Sequence, residues 1–333
     1  KFVSLIKKLL DDTGGRIVLT GTKAELAIID PIIAAIDSPN VAVAAGKTSI
    51  PELAALLEMS DILITGDTGT MHISVAVGTP VIAMFLASAL GYETGPYAED
   101  SIIVQPFIGC GPCHPGKPCS TIECHDLIPP SVISELTRLR LRGPIDSFPR
   151  ELCQPASYRI FRTTFDEHGV WKLVSLDPFD LDPASPYREA YRRLWLEDLG
   201  GVKTGRRPRP SRRSLGTVGD TFSTGGELEE LRIYALEGLS LLDELNVAVN
   251  DLFGAPERLT ELADKLEGVD QEIERLGYHY SYLGLLVRMF VFSKENLQGS
   301  EIADLSVQMR SVYEDLMRRS ELLGCFIVDE LGG

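Results

Sequence analysis

The 333-residue chain predicts an α/β domain built on a parallel sheet, followed by an all-α helical bundle. Three observations predict it. Short apolar strands alternate with helical patterns from residue 1 to about 135, which implies a parallel sheet covered on both faces. Residues 201–225, rich in Gly, Ser, Arg and Pro, read as a linker. From Glu227 to the end the apolar spacing is helical.

The elements follow in order. Phe2, Leu5, Ile6, Leu9 and Leu10 recur at helical spacing, and Gly14-Gly15 ends that helix. Arg16–Thr20 reads as a buried strand, and Glu25–Ile36 as a helix interrupted or reset at Pro31. Val41–Ala45 is a short strand. Ser49 then caps a helix that runs through Glu58, with Pro51 in its first turn and Glu52 three residues after the cap. Asp61–Thr65 is a strand, Met71–Val77 a helix and Pro80–Phe85 another strand. Pro130–Leu141 reads as one more helix. Tyr158–Thr164 and Val170–Leu176 flank Asp166-Glu167-His168-Gly169 as a β-hairpin. Three helices are expected at about 227–252, 256–294 and 300–330, packed as a bundle or hairpin. The expected division is a sheet domain over 1–145 with a Cys-rich loop at 106–128, a small α+β extension over 146–200, the linker over 201–225 and the bundle over 226–333.

Composition narrows the class of function. A formal net charge of −16 argues against nucleic acid as a partner. No run of 18 apolar residues occurs; the greasiest late segment, Tyr282–Phe292, contains Arg288. No signal peptide pattern is visible, and the chain opens on Lys1 in a helical pattern, which predicts a fragment of a longer protein. Six cysteines, four of them crowded into Cys110–Cys124, do not resemble a spread disulfide framework.

The stretch that carries chemistry is Ser60–Phe85, a strand, a tight turn, a helix start and a second strand. Ligands of parallel α/β sheets bind at the carboxyl ends of strands. There the N–H groups of Thr68, Gly69 and Thr70 would face a phosphate, backed by the helix dipole. Gly69 permits close approach, the Thr68 and Thr70 hydroxyls add donors, and His72 reaches the same anion. The plainer reading makes Asp67 an ordinary N-cap and His72 a satisfied histidine.

DTGTMH at Asp67–His72, followed by an apolar helix and GTPVIAMF, resembles the D-[ST]-G-x-x-H signature of the ADP-heptose:lipopolysaccharide heptosyltransferases, glycosyltransferase family 9. VLTGTKAE at Val18–Glu25, AGKTSIPELAALL at Ala45–Leu57 and ETGPY at Glu93–Tyr97 agree with it in order and spacing. The resemblance covers residues 1 to about 140. It implies a Rossmann-like domain, the C-terminal donor-binding half of a GT-B fold. By motif match, Thr68 and Gly69 would bind the diphosphate with His72 near it, and Asp67 would face the donor sugar. Glu25 would bind the ribose, Thr22 would belong to the same donor site, and Lys47-Thr48 would line the base pocket. The implied reaction is a metal-independent, inverting transfer of a heptose-like sugar from an ADP-sugar to a lipopolysaccharide or related glycan acceptor, on the cytoplasmic side of the inner membrane. The family's acceptor domain, with its carboxylate base, and a Lys-bearing phosphate strand precede this region in relatives. Both are missing here, so the chain is expected to be inactive alone.

Cys110-x2-Cys113-x5-Cys119-x4-Cys124 leaves four alternatives: a tetrahedral structural zinc, an iron–sulfur cluster, disulfides, or free thiols packing a loop. His114 and His125 are alternative ligands. Lys203, Arg206, Arg207, Arg209, Arg212 and Arg213 make the linker either a solvated tether or a contact to anionic lipid. The Leu and Val stripes of the late helices read as bundle core or as an interface between copies, and Tyr278, His279, Tyr280 and Tyr282 as core aromatics. The competing readings of the whole chain are a non-catalytic interaction protein and a GT-B-type epimerase.

Overall fold

Helix α1 (Phe2–Thr13) buries Leu5, Ile6 and Leu9 and stops at Gly14, whose left-handed backbone (φ 63°) lets its N–H donate to Leu10 O. It opens the computed structural model, which describes residues 1–86, 89–108, 110, 113, 119, 121–154, 157–176, 185–203, 226–250, 256–299 and 302–332. These residues form two compact units, Lys1–Leu181 and Asp182–Gly333.

In the first unit, β1 (Ile17–Leu19) leads through a 3-10 turn at Lys23–Glu25 into α2 (Leu26–Ala34). Pro31 lies inside α2 without interrupting it, contrary to the sequence expectation. In so short a helix proline forfeits one intrahelical bond, and the surrounding turns hold the rest. β2 (Val41–Val43), α3 (Ile50–Glu58), β3 (Leu63–Gly66), α4 (Gly69–Ala76) and β4 (Val81–Met84) follow. Then come α5 (Gly91–Thr94), β5 (Ile102–Pro106), α6 (Pro130–Arg140), β6 (Tyr158–Phe165) and β7 (Trp171–Ser175). β1 pairs with β2 in parallel, and β3, β4 and β5 form a parallel set.

The strands alternate sides as a pleated backbone must. Ile82, Ile102 and Val104 face a core that includes Leu5, Leu9, Val132, Ile133 and Leu136, with Ile17 of β1 packed against it. Val81, Ala83 and Ile103 face a second cluster with Met71 and Phe85. Both faces are therefore covered, as the apolar runs predict. The hairpin does not stand apart: β6 lies antiparallel on β5, with β7 outside it. Strand β5 and helix α5 had no counterpart in the sequence reading, although Ile102-Ile103-Val104 is a short β-branched run of the buried-strand kind.

In the second unit, α7 (Ser185–Asp198), α8 (Gly226–Asn250), α9 (Pro256–His279), α10 (Gly284–Glu295) and α11 (Ile302–Gly332) share one core. The 146–200 stretch is thus divided, with the hairpin in the first unit and α7 in the second. The sequence expectation gives helix α7 no bounds of its own within the α+β extension over 146–200. Its signal is the buried series Tyr187, Ala190, Tyr191 and Leu194 at helical spacing. The single helix expected over 256–294 is two. Tyr280 takes an extended conformation (φ −109°, ψ 101°), and a 3-10 turn at Ser281–Leu283 follows. Gly277 makes the break possible: a Cβ there would come within 2.6 Å of Val287. The break buries Tyr282, whose hydroxyl donates to Glu227 at 3.2 Å, while Tyr278 and His279 remain exposed rather than in the core. The linker arginines Arg206, Arg207, Arg209, Arg212 and Arg213 lie outside the described residues. No helix among the described residues is long and apolar enough to cross a membrane.

Charged anchors tie α7 to α11. Arg193 binds Asp329 at 2.8 Å and Glu330 at 2.9 Å. Asp198, with its side chain 1% exposed, accepts from Arg319 at 2.7 Å and pairs with Arg318. Burial pushes the Asp198 carboxyl up, but the two guanidiniums outweigh it and hold it below the usual carboxylate range. A depressed folded pKa means that the stabilisation is present above the unfolded pKa and is lost as pH falls through the folded value. Asp198→Asn is expected to cost about 2 kcal/mol at neutral pH. The deficit should vanish as pH drops below the carboxylate range, as measured by urea unfolding at a series of pH values.

Candidate functional site

The candidate site grows out of the loops that follow the parallel strands. After β1, Thr22 and Glu25 form a capping box: Glu25 Oε2 accepts the Thr22 N–H at 2.6 Å and its hydroxyl at 2.9 Å. These bonds hold the Glu25 carboxyl below its ordinary range, the backbone N–H first and the hydroxyl second. The structure thus uses one Glu25 oxygen to close its own turn. The loop after β2 is tied to this turn by Gly46 N–H donating to Gly21 O at 2.8 Å. Gly46 has φ 67°, and a Cβ there would meet the Lys23 side chain at 2.6 Å, so the close crossing of the two loops requires glycine. Lys47 folds back, its Nζ donating to Val43 O at 2.9 Å. Ser49 and Glu52 form the predicted capping box on α3, with bonds of 2.7 and 2.8 Å.

The loop after β3 is different. Thr68, in an extended conformation, is the N-cap of α4, yet no side chain caps this helix. The Thr68 hydroxyl turns to Thr65 Oγ1 at 3.1 Å instead. Asp67 accepts no hydrogen bond among the described residues, so it is not the N-cap that the plainer reading required. Met71 N–H donates to Thr68 O at 3.0 Å, while the N–H groups of Gly69 and Thr70 donate to no described protein group. Asp67, Thr68, Gly69 and His72 are exposed, whereas Met71 and Ser74 are buried against the sheet. Nothing lies within 4 Å of where a Gly69 Cβ would stand. The first turn of α4 therefore presents unpaired N–H groups and a bare glycine to solvent, with the helix packed behind them.

The sequence-predicted residues thus fall into two groups. Thr22, Glu25, Lys47 and Thr48 lie on two loops bonded to each other. Asp67, Thr68, Gly69, Thr70 and His72 lie on the turn after β3. No hydrogen bond or ion pair joins the two groups among the described residues. A groove of about 620 Å³ runs along α1, lined by Lys1, Lys7, Lys8, Asp11 and Asp12, and does not include the α4 turn. The Glu93–Tyr97 segment leads away from the carboxyl edge. Tyr97 packs on Phe165 (5.1 Å between centroids) and Trp171 (6.3 Å), and Trp171 Nε1 donates to Pro96 O. These partners sit beyond the amino end of β5, since Phe165 lies past the Ile102↔Arg162 pair.

The Cys-rich loop leaves the carboxyl end of β5. None of the six cysteines forms a disulfide in this structure. His114 lies outside the described residues. Among those described, no three His, Cys, Asp or Glu side chains are disposed to hold a metal as they stand.

A parallel sheet with an uncapped helix start at the carboxyl end of one strand is the kind of arrangement in which nucleotide-type α/β domains bind anions. Residues 1–121 match the model of Glycosyltransferase family 9 (heptosyltransferase). That part of the chain is similar to this family, at the distance of a remote relative. Lipopolysaccharide heptosyltransferase 3 of Escherichia coli is 37% identical over 90 residues, covering 26% of this chain and 26% of its own length. Lipopolysaccharide heptosyltransferase 2 of Escherichia coli (strain K12) is 25% identical over 146 residues, covering 42% and 41%. A crystal structure of the glycosyl transferase family 9 from Veillonella parvula DSM 2008 is 25% identical over 31% of this chain and 30% of its own, at a TM-score of 0.28. The chain spans between about a quarter and two-fifths of the length of these curated relatives.

Proposed function

We propose that the first unit binds the donor of a glycosyl transfer, an ADP-linked heptose-like sugar, through its diphosphate at the start of α4. The observation that carries this reading is the contrast among three turns. Those at Thr22 and Ser49 close themselves with a glutamate, and the α4 turn leaves its donors open. In this reading the Gly69 and Thr70 N–H groups and the Thr68 and Thr70 hydroxyls hold the diphosphate, and His72 adds a donor. Asp67, free of capping duty, faces the sugar. The crossed loops at Thr22–Glu25 and Lys47-Thr48 address the ribose and base, Glu25 with the oxygen its cap does not use.

An acceptor hydroxyl of lipopolysaccharide core or a related glycan attacks the anomeric carbon. The bond to the diphosphate breaks with inversion, and the nucleoside diphosphate leaves. The charge that builds on the leaving oxygen is stabilised by N–H groups already oriented, without reorganisation and without a metal. The reading assigns no general base to this chain.

Thermal unfolding with nucleotides tests it. ADP at about a hundred times its dissociation constant stabilises by about 2.7 kcal/mol, which moves the first unit's transition by roughly 5–10 °C. AMP, lacking the second phosphate, should give a much smaller shift at equal concentration. Equal shifts for AMP and ADP, or none for either, would sink the proposal. The second outcome would favour a non-catalytic interaction protein.

A further inference from the structure

We propose that Thr65 is a positioning residue of the donor turn: its hydroxyl holds the Thr68 hydroxyl away from α4, so that the helix start stays open for a diphosphate. The inference rests on the donor-binding reading above and adds to it a residue outside the Asp67–His72 turn. Thr65 lies near the carboxyl end of β3 and pairs with Ala83 of β4. Residues paired across two strands point to the same face of the sheet. Ala83 faces the cluster that holds Met71 of α4. The half-buried Thr65 side chain therefore stands under the helix start, with its Oγ1 3.1 Å from Thr68 Oγ1. Among the described residues, neither hydroxyl has another partner.

A threonine at an N-cap ordinarily turns its hydroxyl inward and accepts from the second or third N–H of the helix. Thr68 has the extended backbone of such a cap (φ −146°, ψ 161°), yet no side chain caps α4. The third N–H, that of Met71, already donates to Thr68 O at 3.0 Å. An inward-turned hydroxyl would therefore take the N–H of Thr70. That N–H is one of the two that donor binding assigns to the diphosphate, so capping and anion binding compete for one donor. At Thr22 and Ser49 the turn is closed by a glutamate at the third position. In α4 that position is Met71, which brings no carboxylate to close it.

Thr65 decides this competition. An ionised diphosphate only accepts hydrogen bonds, so the Thr68 hydroxyl must donate to it. Thr68 Oγ1 is then left to accept, and the Thr65 hydroxyl supplies the proton at the separation observed. The bonds run from Thr65 to Thr68 to phosphate, each polarising the next. Without the Thr65 hydroxyl, Thr68 is free to turn onto the Thr70 N–H, which stabilises the empty helix start and shuts the cradle. Thr65 thus gives up stability of the unliganded turn for affinity. Its removal should move the two quantities in opposite directions.

Thr65→Val keeps the branched shape and the strand preference and removes the hydroxyl. Without nucleotide, the full chain carrying it should melt its first unit about 2–3 °C above the wild type. By titration calorimetry it should bind ADP and inorganic pyrophosphate about five- to tenfold more weakly. Both ligands should lose the same factor, because the defect lies at the diphosphate. Thr65→Ser should restore the wild-type values of both quantities. A threonine with a merely structural role would lower the melting temperature on replacement and leave the affinities alone. Undiminished affinity of Thr65→Val for ADP and pyrophosphate, or a melting temperature no higher than the wild type, would overturn the positioning role and leave donor binding standing. A wild-type chain that binds neither ligand would overturn both.

Discussion

Gly69→Leu is expected to abolish the ADP-induced stabilisation while leaving the unliganded protein as stable as before. The two halves of this result come from different observations. A Cβ at residue 69 would have nothing within 4 Å, and the residue is exposed, so the folded chain accepts the side chain. Helix propensity favours leucine over glycine, and surface substitutions of this kind stay within about 0.5 kcal/mol. A diphosphate on the first turn of α4, by contrast, would need the space above residue 69 to reach the Gly69 and Thr70 N–H groups. The expected reading is a loss of the whole shift, roughly 5–10 °C, with the unliganded melting temperature changed by no more than about 2 °C. Gly69→Ala should give an intermediate loss. Retention of the full ADP shift by Gly69→Leu would move the anion elsewhere and remove the main support for donor binding.

Asp270→Ala is expected to destabilise the helical unit by about 3–5 kcal/mol. Asp270 on α9 is 6% exposed, accepts the Tyr313 hydroxyl at 2.5 Å and pairs with Lys294 of α10. Tyr313 of α11 is fully buried, lies edge-on to Phe290 at 5.2 Å and presses on Gly238 of α8, where a Cβ would come within 2.3 Å of its ring. Burial first, and the Asp270 carboxylate second, push the Tyr313 hydroxyl far above its usual range, so it stays a donor. Four helices therefore meet around one carboxylate. Its removal leaves a buried hydroxyl and an ammonium without their acceptor, which costs more than the pair contributes net. Tyr313→Phe, which strands only one Asp270 oxygen, should cost about 1–2 kcal/mol. Urea unfolding followed by circular dichroism measures both. A cost below about 1 kcal/mol for Asp270→Ala would mean that water takes over the site.

Much of the first unit was legible in the chain. The helix and strand alternation, the Ser49–Glu52 capping box and the Asp67–His72 turn all stand where local pattern puts them, because each depends on neighbours within a few residues. Glu25 shows the limit of that reading. The motif puts it near the donor, and the fold shows its carboxylate already closing the Thr22 turn. The role of Asp67 was open to two readings. Capping was excluded only once the Thr68 hydroxyl was seen to turn toward Thr65.

By itself the sequence determined the alternating α/β order, the family likeness of residues 1–121 and the helical character of the last third, since periodicity and motif are local properties of a chain. The tertiary structure decided what depends on distant partners. It set the hairpin on β5, divided α9 from α10 where Gly277 meets Val287, and brought Asp270 to Tyr313 and Lys294. Those outcomes turn on which surfaces come into contact across many residues, and on whether a buried polar group finds its partner there.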